Sequence, residues 1–448
     1  VSGFDFDLNR LLRGTEFVNL YSESGRVRKV LGPVVEGILP GAVVGGVCQI
    51  VQPNQEAIEA EIVGFRDRTA LMMPLSSIEG LSMGSRIEQT TKTTSVRVGP
   101  WMVGRLINGL GHPVGFPKGD RASLYTNDDE VRNLKSPALG PLERKSIHDR
   151  LVTGVRAFDA SIPLGLGQRV AIMAASGVGK SMLLGMLARR STADVNVIAL
   201  VGERGREVTE FLERDLGPDG LKKSVVVAVT SDESPVLKVR GSFLATTIAE
   251  YFRDLGLNVL LMMDSVTRFG MALREIGLAA GEPPTTKGYT PSVFGQMPKL
   301  LERAGARKAG GSITGLYTVL VEGNDFDDPI ADTVRSIVDG HVVLSRDLAA
   351  KNHYPAVDVL QSVSRLTGAI ATNDEQRLNS EIRQVLATYK SAEDLINIGG
   401  YRKGNNVEWD KAIELYPKIT SFLKQKADEA APFDQQLKQL KEIFGAAV

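Results

Sequence analysis

The sequence predicts a three-part chain: a small β-barrel first, then an α/β core on a mostly parallel sheet, then an α-helical C-terminal domain. Three observations predict it. Short β-type runs broken by glycine fill residues 26–97, apolar strands alternate with amphipathic helices from about residue 169 to 345, and the strand signal ends near Thr367. At 448 residues the chain is too long for one ordinary core, so several domains are expected.

Residues 1–25 are polar apart from the amphipathic piece FDLNRLL, which reads as a short helix or a docking segment. Between Arg26 and Arg97 the runs VRKVLGPVVEGI, GGVCQIV, EAEIVGF, TALMMPL and SRIEQT recur at the spacing of a small barrel or sandwich. Such barrels often bind oligonucleotides, but Phe65 is the only aromatic residue here, so the stretch reads as an assembly domain without a nucleic-acid partner. Residues 98–168 are rich in turn signals, and LVTGVRAFDASIPLGLGQ leads into the next strand.

That strand opens RVAIMAASGVGKS (169–181), which reads as a buried strand, a phosphate-cradling loop and the first turn of a helix. Gly177 and Gly179 free the backbone so that N–H groups from Ser176 to Met182, Val178 included, converge on phosphate oxygens. The helix N-terminus aims its dipole at the same anion. Lys180 would neutralise the β- and γ-phosphates, and the Ser181 hydroxyl would be an Mg²⁺ ligand. The strict pattern fails only at its first position, which holds Ala174. The alternative is a glycine turn with a surface lysine.

Downstream, NVIALVG (196–202), VVVAVT (225–230), NVLLMMD (258–264), GLYTVLVEG (315–323) and HVVLS (341–345) are candidate strands separated by helices. Beyond Thr367, EQRLNSEIRQVLATYK, SAEDLINIG, KAIELYPKITSFLKQK and FDQQLKQLKEIF have helical spacing, with Ser391 as a cap and Gly399 as a stop. The domains expected are 1–25, 26–97, 98–366 and 367–448.

Lys and Arg together number 53, as do Asp and Glu, so no polyanion-binding surface is expected from net charge. Cys48 is the only cysteine, which excludes an intrachain disulfide and fits a small buried hydrophobe. No apolar run approaches the length of a membrane span, and the opening VSGFDFDLNR lacks a signal-peptide layout.

Hydrolysis of a bound nucleoside triphosphate needs a water oriented in line with the γ-phosphate. Glu203, closing a strand in GERGREV, is placed for that; the alternative is a glutamate paired with Arg204 or Arg206. Asp264 closes NVLLMM as a carboxylate holding the magnesium water shell, or as the cap of the helix SVTRFGMALREIG, or as both. Arg268, one turn later, would reach a phosphate or form a surface ion pair. In NDFDDP, Asp325, Asp327 and Asp328 lack a calcium-loop pattern and read as a solvated turn rather than a second metal site.

Together GVGKS, GERGREV, LLMMDSVTRF, GYTPSVF, LVEGNDFDDPIADTVRSIVDGHVVLSR and YPAVDVLQSVSR resemble the ATPase of bacterial type III export, a relative of the rotary ATP synthase β subunit. The resemblance runs from Arg26 onward and implies a RecA-like P-loop core. It implies ATP and Mg²⁺ as ligands, Lys180 and Ser181 as phosphate and magnesium contacts, Glu203 as catalytic carboxylate and Asp264 as second magnesium residue. It adds Arg365, in SVSRL, as an arginine finger reaching a neighbouring subunit's nucleotide, and Tyr354, in HYPAVD, as the ring stacked on adenine. Arg204 and Arg268 join the catalytic candidates.

The resemblance also implies a homohexameric ring in the cytoplasm, peripheral to the membrane export apparatus. Its partners would be a stator-like regulator at residues 1–25, a central stalk met by the loop 281–295 with Lys287, export-gate membrane proteins, and chaperone–cargo complexes. ADVNVIALVGERGREV and DLINIGGYRKGNN resemble the flagellar form, with the injectisome form as the alternative. A rotary β subunit would carry an acidic turn that the C-terminal region lacks, and a non-catalytic rotary subunit would lack Glu203.

Overall fold

The computed structural model describes residues 24–52, 56–91, 94–115, 124–126, 128–321 and 328–445. The expected docking segment FDLNRLL, with Asp325 and Asp327, lies outside the described residues. The chain divides into a unit ending at Thr94 and a second from Ser95 onward.

In the first unit, β1 (Ser24–Leu31), β2 (Val34–Ile38), β3 (Val47–Val51), β4 (Ile58–Arg66), β5 (Thr69–Pro74) and β6 (Arg86–Thr91) close a barrel in the order β1-β2-β5-β4-β3-β6. Every pairing is antiparallel. Closure removes the open edges that a six-strand sheet would expose. Inward side chains of Val27, Val35, Ile50, Ile62, Met72 and Ile87 fill it. Cys48 joins them, and burial pushes its thiol up to about 12, which keeps it unreactive.

The second unit contributes β7 (Ser95–Val98), β8 (Arg105–Ile107), β9 (Glu130–Asn133), β10 (Arg150–Leu151), β11 (Leu164–Gly165), β12 (Arg169–Ala174), β13 (Val195–Glu203), β14 (Ser224–Thr230), β15 (Asn258–Asp264), β16 (Gly305–Ala306), β17 (Ser312–Leu320), β18 (Gly340–Leu344) and β19 (Val357–Ser364). The main sheet runs β19-β18-β12-β17-β15-β13-β14-β8, parallel except where β19 joins β18 and β16 joins β17. Its edge strand β8 comes from the turn-rich stretch, where three short residues give no periodic signal. GLYTVLVEG forms β17 three residues earlier than its apolar run begins, because Gly311 and Ser312 are drawn in by bonds to the carbonyls of Arg253 and Leu257.

Alternate residues of each central strand enter different cores. Ala171 and Met173 of β12 and Val197, Ala199 and Val201 of β13 pack on one face. Val170, Ile172, Ile198 and Leu200 pack on the other. Both faces are therefore apolar, which is why these strands read as continuous hydrophobic runs. Register places Leu200 beside Asp264 and Ala174 beside Leu320, so β12, β13 and β15 finish along one carboxyl edge.

The C-terminal helices Asn373–Asn397, Val407–Leu423 and Phe433–Phe444 pack Leu378, Ile382, Leu415, Ile419 and Leu440 into the second core with Phe158. Thr372 starts the first of them with a capping box: its side chain accepts from Glu375 N–H, and Glu375 accepts in return from Thr372 N–H at 2.8 Å. The expected break at Ser391 does not occur. No glycine or proline interrupts the run, and the Ser391 hydroxyl donates to the Thr388 carbonyl at 2.7 Å instead of capping a new helix. Gly399, at φ +70°, does stand just past the helix end.

Candidate active site

The loop after β12 has the geometry its glycines predict. Gly177 and Gly179 adopt φ of +81° and +83°, where a side chain would be strained. Gly179 is the N-cap of helix Lys180–Arg190, and no side chain caps it, which leaves the first-turn N–H groups for an anion. Val178 is buried and anchors the loop, while Ser176 is exposed. Ser181 and Met182 are half-buried in the first helical turn. Gly185 fits the helix against its neighbour: a β-carbon there would lie 2.3 Å from the Asp215 carbonyl oxygen.

Lys180 sits between two carboxylates from neighbouring strand ends. Its Nζ lies 2.5 Å from Asp264 Oδ1 and 3.6 Å from Glu203 Oε1, with side chains only 13%, 4% and 14% exposed. Burial alone would lower the lysine pKa, but the Asp264 and Glu203 charges outweigh it and hold the ammonium above its ordinary value. Glu203 moves the other way. Burial and the Asp264 charge push it up to about 7, against the pull of Lys180 and Arg268. A carboxyl tuned near neutrality suits a general base.

The structure decides several readings the sequence left open. Glu203 pairs with Lys180, whereas Arg204 pairs with Glu207 and Arg206 with Glu210, each at 3.6 Å. Asp264 caps no helix: Ser265 does so, accepting from Arg268 N–H. Asp264 accepts instead from the Thr318 hydroxyl at 2.8 Å. Asp328 likewise is an N-cap, for the helix Pro329–Ile337. Lys287 lies 3.8 Å from it.

Arg268 lies across Gly202, whose absent β-carbon would be 3.2 Å from the arginine methylenes, and its buried Nε has no hydrogen-bond partner among the described residues. The Tyr354 ring stands over the loop, 3.1 Å from where a β-carbon on Gly179 would be. Arg204 is exposed. Arg365 is the outlier. Because β19 is antiparallel to β18, Ser364 pairs with Gly340 at the amino edge of the sheet, and exposed Arg365 follows it there, away from the phosphate loop.

Two participants escaped sequence reading. Thr318 fixes Asp264 from 54 residues away, and no local pattern marks it. Glu207 stands four residues past Glu203, and the neighbouring Glu203 carboxyl pulls its pKa down; its i+4 spacing within GERGREV was the available signal.

The residues present fit Mg·ATP. The uncapped helix start and the orphaned Arg268 Nε suit phosphate oxygens. Ser181 and Asp264 offer the few hard oxygens that Mg²⁺ takes from protein when phosphates and water complete its shell. Among the described residues no cluster of three His, Cys, Asp or Glu forms an all-protein metal cage.

Comparison with known proteins agrees from the barrel to the C-terminal helices. Residues 27–91 match the ATP synthase alpha/beta family β-barrel domain, 154–364 its nucleotide-binding domain, and 371–442 the T3SS EscN ATPase C-terminal domain. The flagellum-specific ATP synthase of Bacillus subtilis is 47% identical, the alignment covering 96% of this chain and 97% of the relative. The type 3 secretion system ATPase of Xanthomonas euvesicatoria is 46% identical over 94% of this chain and 93% of its own. The assembled ATPase EscN of enteropathogenic E. coli superposes with a TM-score of 0.85 at 40% identity, covering 94% of this chain and 99% of that one. EscN in complex with its central stalk EscO gives the same TM-score, 0.85. A buried phosphate-loop lysine between two strand-end carboxylates, on a chain matched from barrel to C-terminal helices, leaves one conclusion: the chain belongs to the ATP synthase alpha/beta family, in its branch of type III export ATPases.

Proposed function

We propose that this export ATPase works as a homohexameric ring whose active sites are completed between subunits, and that its turnover drives flagellar protein export. The observation that carries the reading is the split of the site across one sheet. Lys180, Glu203 and Asp264 meet at the carboxyl edge, while Arg365 stands exposed at the amino edge, which supports its meeting the nucleotide of a neighbouring subunit.

In the proposed mechanism, the loop N–H groups and Lys180 bind the β- and γ-phosphates, and Tyr354 stacks on the adenine. Ser181 and Asp264 would hold Mg²⁺, which supplies charge neutralisation on the phosphate oxygens. Glu203 orients the in-line water and accepts its proton. Arg268 and Arg204 approach the phosphates from the strand ends, and the neighbour's Arg365 stabilises charge spreading over the transferring phosphoryl group. The central stalk that accompanies EscN supports a corresponding stalk partner here, met by residues 281–295. A regulator at residues 1–25, export-gate membrane proteins and chaperone–cargo complexes complete the proposed setting at the inner face of the membrane. No described helix is long and apolar enough to cross that membrane itself.

The test is the ATPase rate per subunit against protein concentration, with light scattering in parallel. A rate that climbs as rings form, and collapses in Arg365→Ala with ATP binding kept, supports the shared site. A concentration-independent rate sinks it. The flagellar assignment is tested by expressing the chain in a motile bacterium lacking its export ATPase: restored swimming supports it, and restored injectisome secretion without swimming favours the other branch.

A further inference from the structure

Next to Tyr354 in the chain, His353 lines a cavity of about 170 Å³, bounded by residues 345–360 and by the helices Asn373–Asn397 and Val407–Leu423. His353 is 6% exposed, and neither ring nitrogen makes a hydrogen bond among the described residues. Its ring nitrogens are not among the buried polar atoms that lack a partner, and they open onto the cavity. Burial, helped by the Lys424 charge, pushes its pKa down to about 4, so the ring is neutral and offers one donor and one acceptor.

Tyr389 and Tyr416 form one wall, stacked with centroids 3.6 Å apart and planes 4° from parallel. Their hydroxyls are without hydrogen-bond partners among the described residues. At the rim, Lys351 and Glu393 pair at 3.4 Å and cancel each other's charge. The side chains of Leu348, Leu386 and Leu423 add apolar surface, while Asp347, Asp358 and Lys390 also line the cavity; Asp358 is already engaged by the N–H groups of Leu360 and Gln361. A cavity of about 150 Å³ already admits a benzene ring.

We propose that this cavity is a second ligand site, for a small uncharged planar heteroaromatic compound that lies against the tyrosine wall and hydrogen-bonds His353. It is separate from the phosphate loop. Its occupant is coupled to nucleotide turnover through Tyr354, whose ring covers Gly179 and whose carbonyl accepts from Gln425 N–H at 2.9 Å. The coupling rests on the nucleotide reading of Tyr354; binding does not.

Saturation-transfer NMR on the full chain without nucleotide separates the two. The probes are benzimidazole, which is neutral at pH 7.5 and has one N–H and one bare nitrogen, and indene, which has the shape without either. Benzimidazole binds saturably and about tenfold more tightly than indene, the worth of one hydrogen bond. His353→Leu erases that preference, and Leu386→Trp, which fills the cavity, abolishes binding while circular dichroism reports a folded chain. No saturable binding, or binding unchanged in both variants, overturns the site. In wild type, benzimidazole shifts the KM for ATP, and in Leu386→Trp it does not. Intact binding with an unmoved KM overturns the coupling alone, and intact binding in a protein that proves unable to hydrolyse ATP counts against the nucleotide reading instead.

Discussion

The two edges of the central sheet are built on opposite terms. At the carboxyl edge Lys180 is buried and contacts two carboxylates. At the amino edge Asp339 holds Arg169 at 3.1 Å and accepts only a backbone N–H from Arg365, whose side chain pairs with no carboxylate among the described residues. A buried charge must be compensated within its own chain, whereas an exposed one is free to serve another. On the proposed reading, one edge holds a preorganised half-site, and the other presents the group that would complete a neighbour's.

The strongest way to break this contrast is to empty the carboxyl edge. Lys180→Ala removes the cation that both carboxylates face, and ATP hydrolysis should fall at least about 10³-fold. It should also weaken ATP binding, measured by calorimetry. Arg365→Ala should cost a comparable factor, about 10³ in kcat, yet leave ATP affinity nearly unchanged, because the binding half-site is intact. Equal loss of affinity in the two variants would erase the distinction between the edges.

Smaller changes sharpen it. Thr318→Val removes the hydroxyl that fixes Asp264, and kcat/KM should drop about tenfold, the worth of one hydrogen bond to a charged group. Gly179→Ala places a β-carbon at φ +83° and 3.1 Å from the Tyr354 ring. It should cost about 1–2 kcal/mol in a denaturant titration and weaken nucleotide binding.

The smallest expected effect concerns His353, whose folded pKa of about 4 lies below its ordinary value of 6.5. The unfolded chain binds the proton more readily, so the stability from the neutral ring is complete above pH 6.5 and is lost as pH falls toward 4. From pH 7 to pH 5 this contribution should fall by about 1 kcal/mol in melting experiments, discounted for water reaching the ring through the cavity. It is read as wild type against His353→Leu, because Glu203, raised to about 7, changes stability in the opposite direction over the same range. His353→Leu should not show that fall.

What the sequence made legible follows the same division. The phosphate loop, Glu203 and Asp264 could be read because parallel strands deliver their C-terminal residues to one edge, so strand-end position is a local cue. NVLLMMD coincides with β15 for that reason. Thr318 and Glu207 were not read as site residues: the first acts across 54 residues, and the second resembles any helix-surface glutamate. Arg365 had no local signal and entered only by family resemblance. In the C-terminal region, helical period was legible but its interruption was not, since Ser391 can cap a new helix or bond back to the preceding turn, and the apolar packing of the continuous helix favours the second. The fully buried Arg303, bound by Glu250 and Thr247, also gave no sequence sign, because both partners lie more than 50 residues away.

The central claim is that one active site takes residues from two chains. Equal amounts of Glu203→Gln and Arg365→Ala protein, each inactive alone, can be mixed and the ATPase rate followed. In a mixed ring, an Arg365→Ala subunit beside a Glu203→Gln neighbour regains a complete site, so activity should rise toward about a quarter of wild type for random assembly. If the mixture stays as inactive as its components while light scattering shows mixed rings, each chain holds its whole site and the account is contradicted.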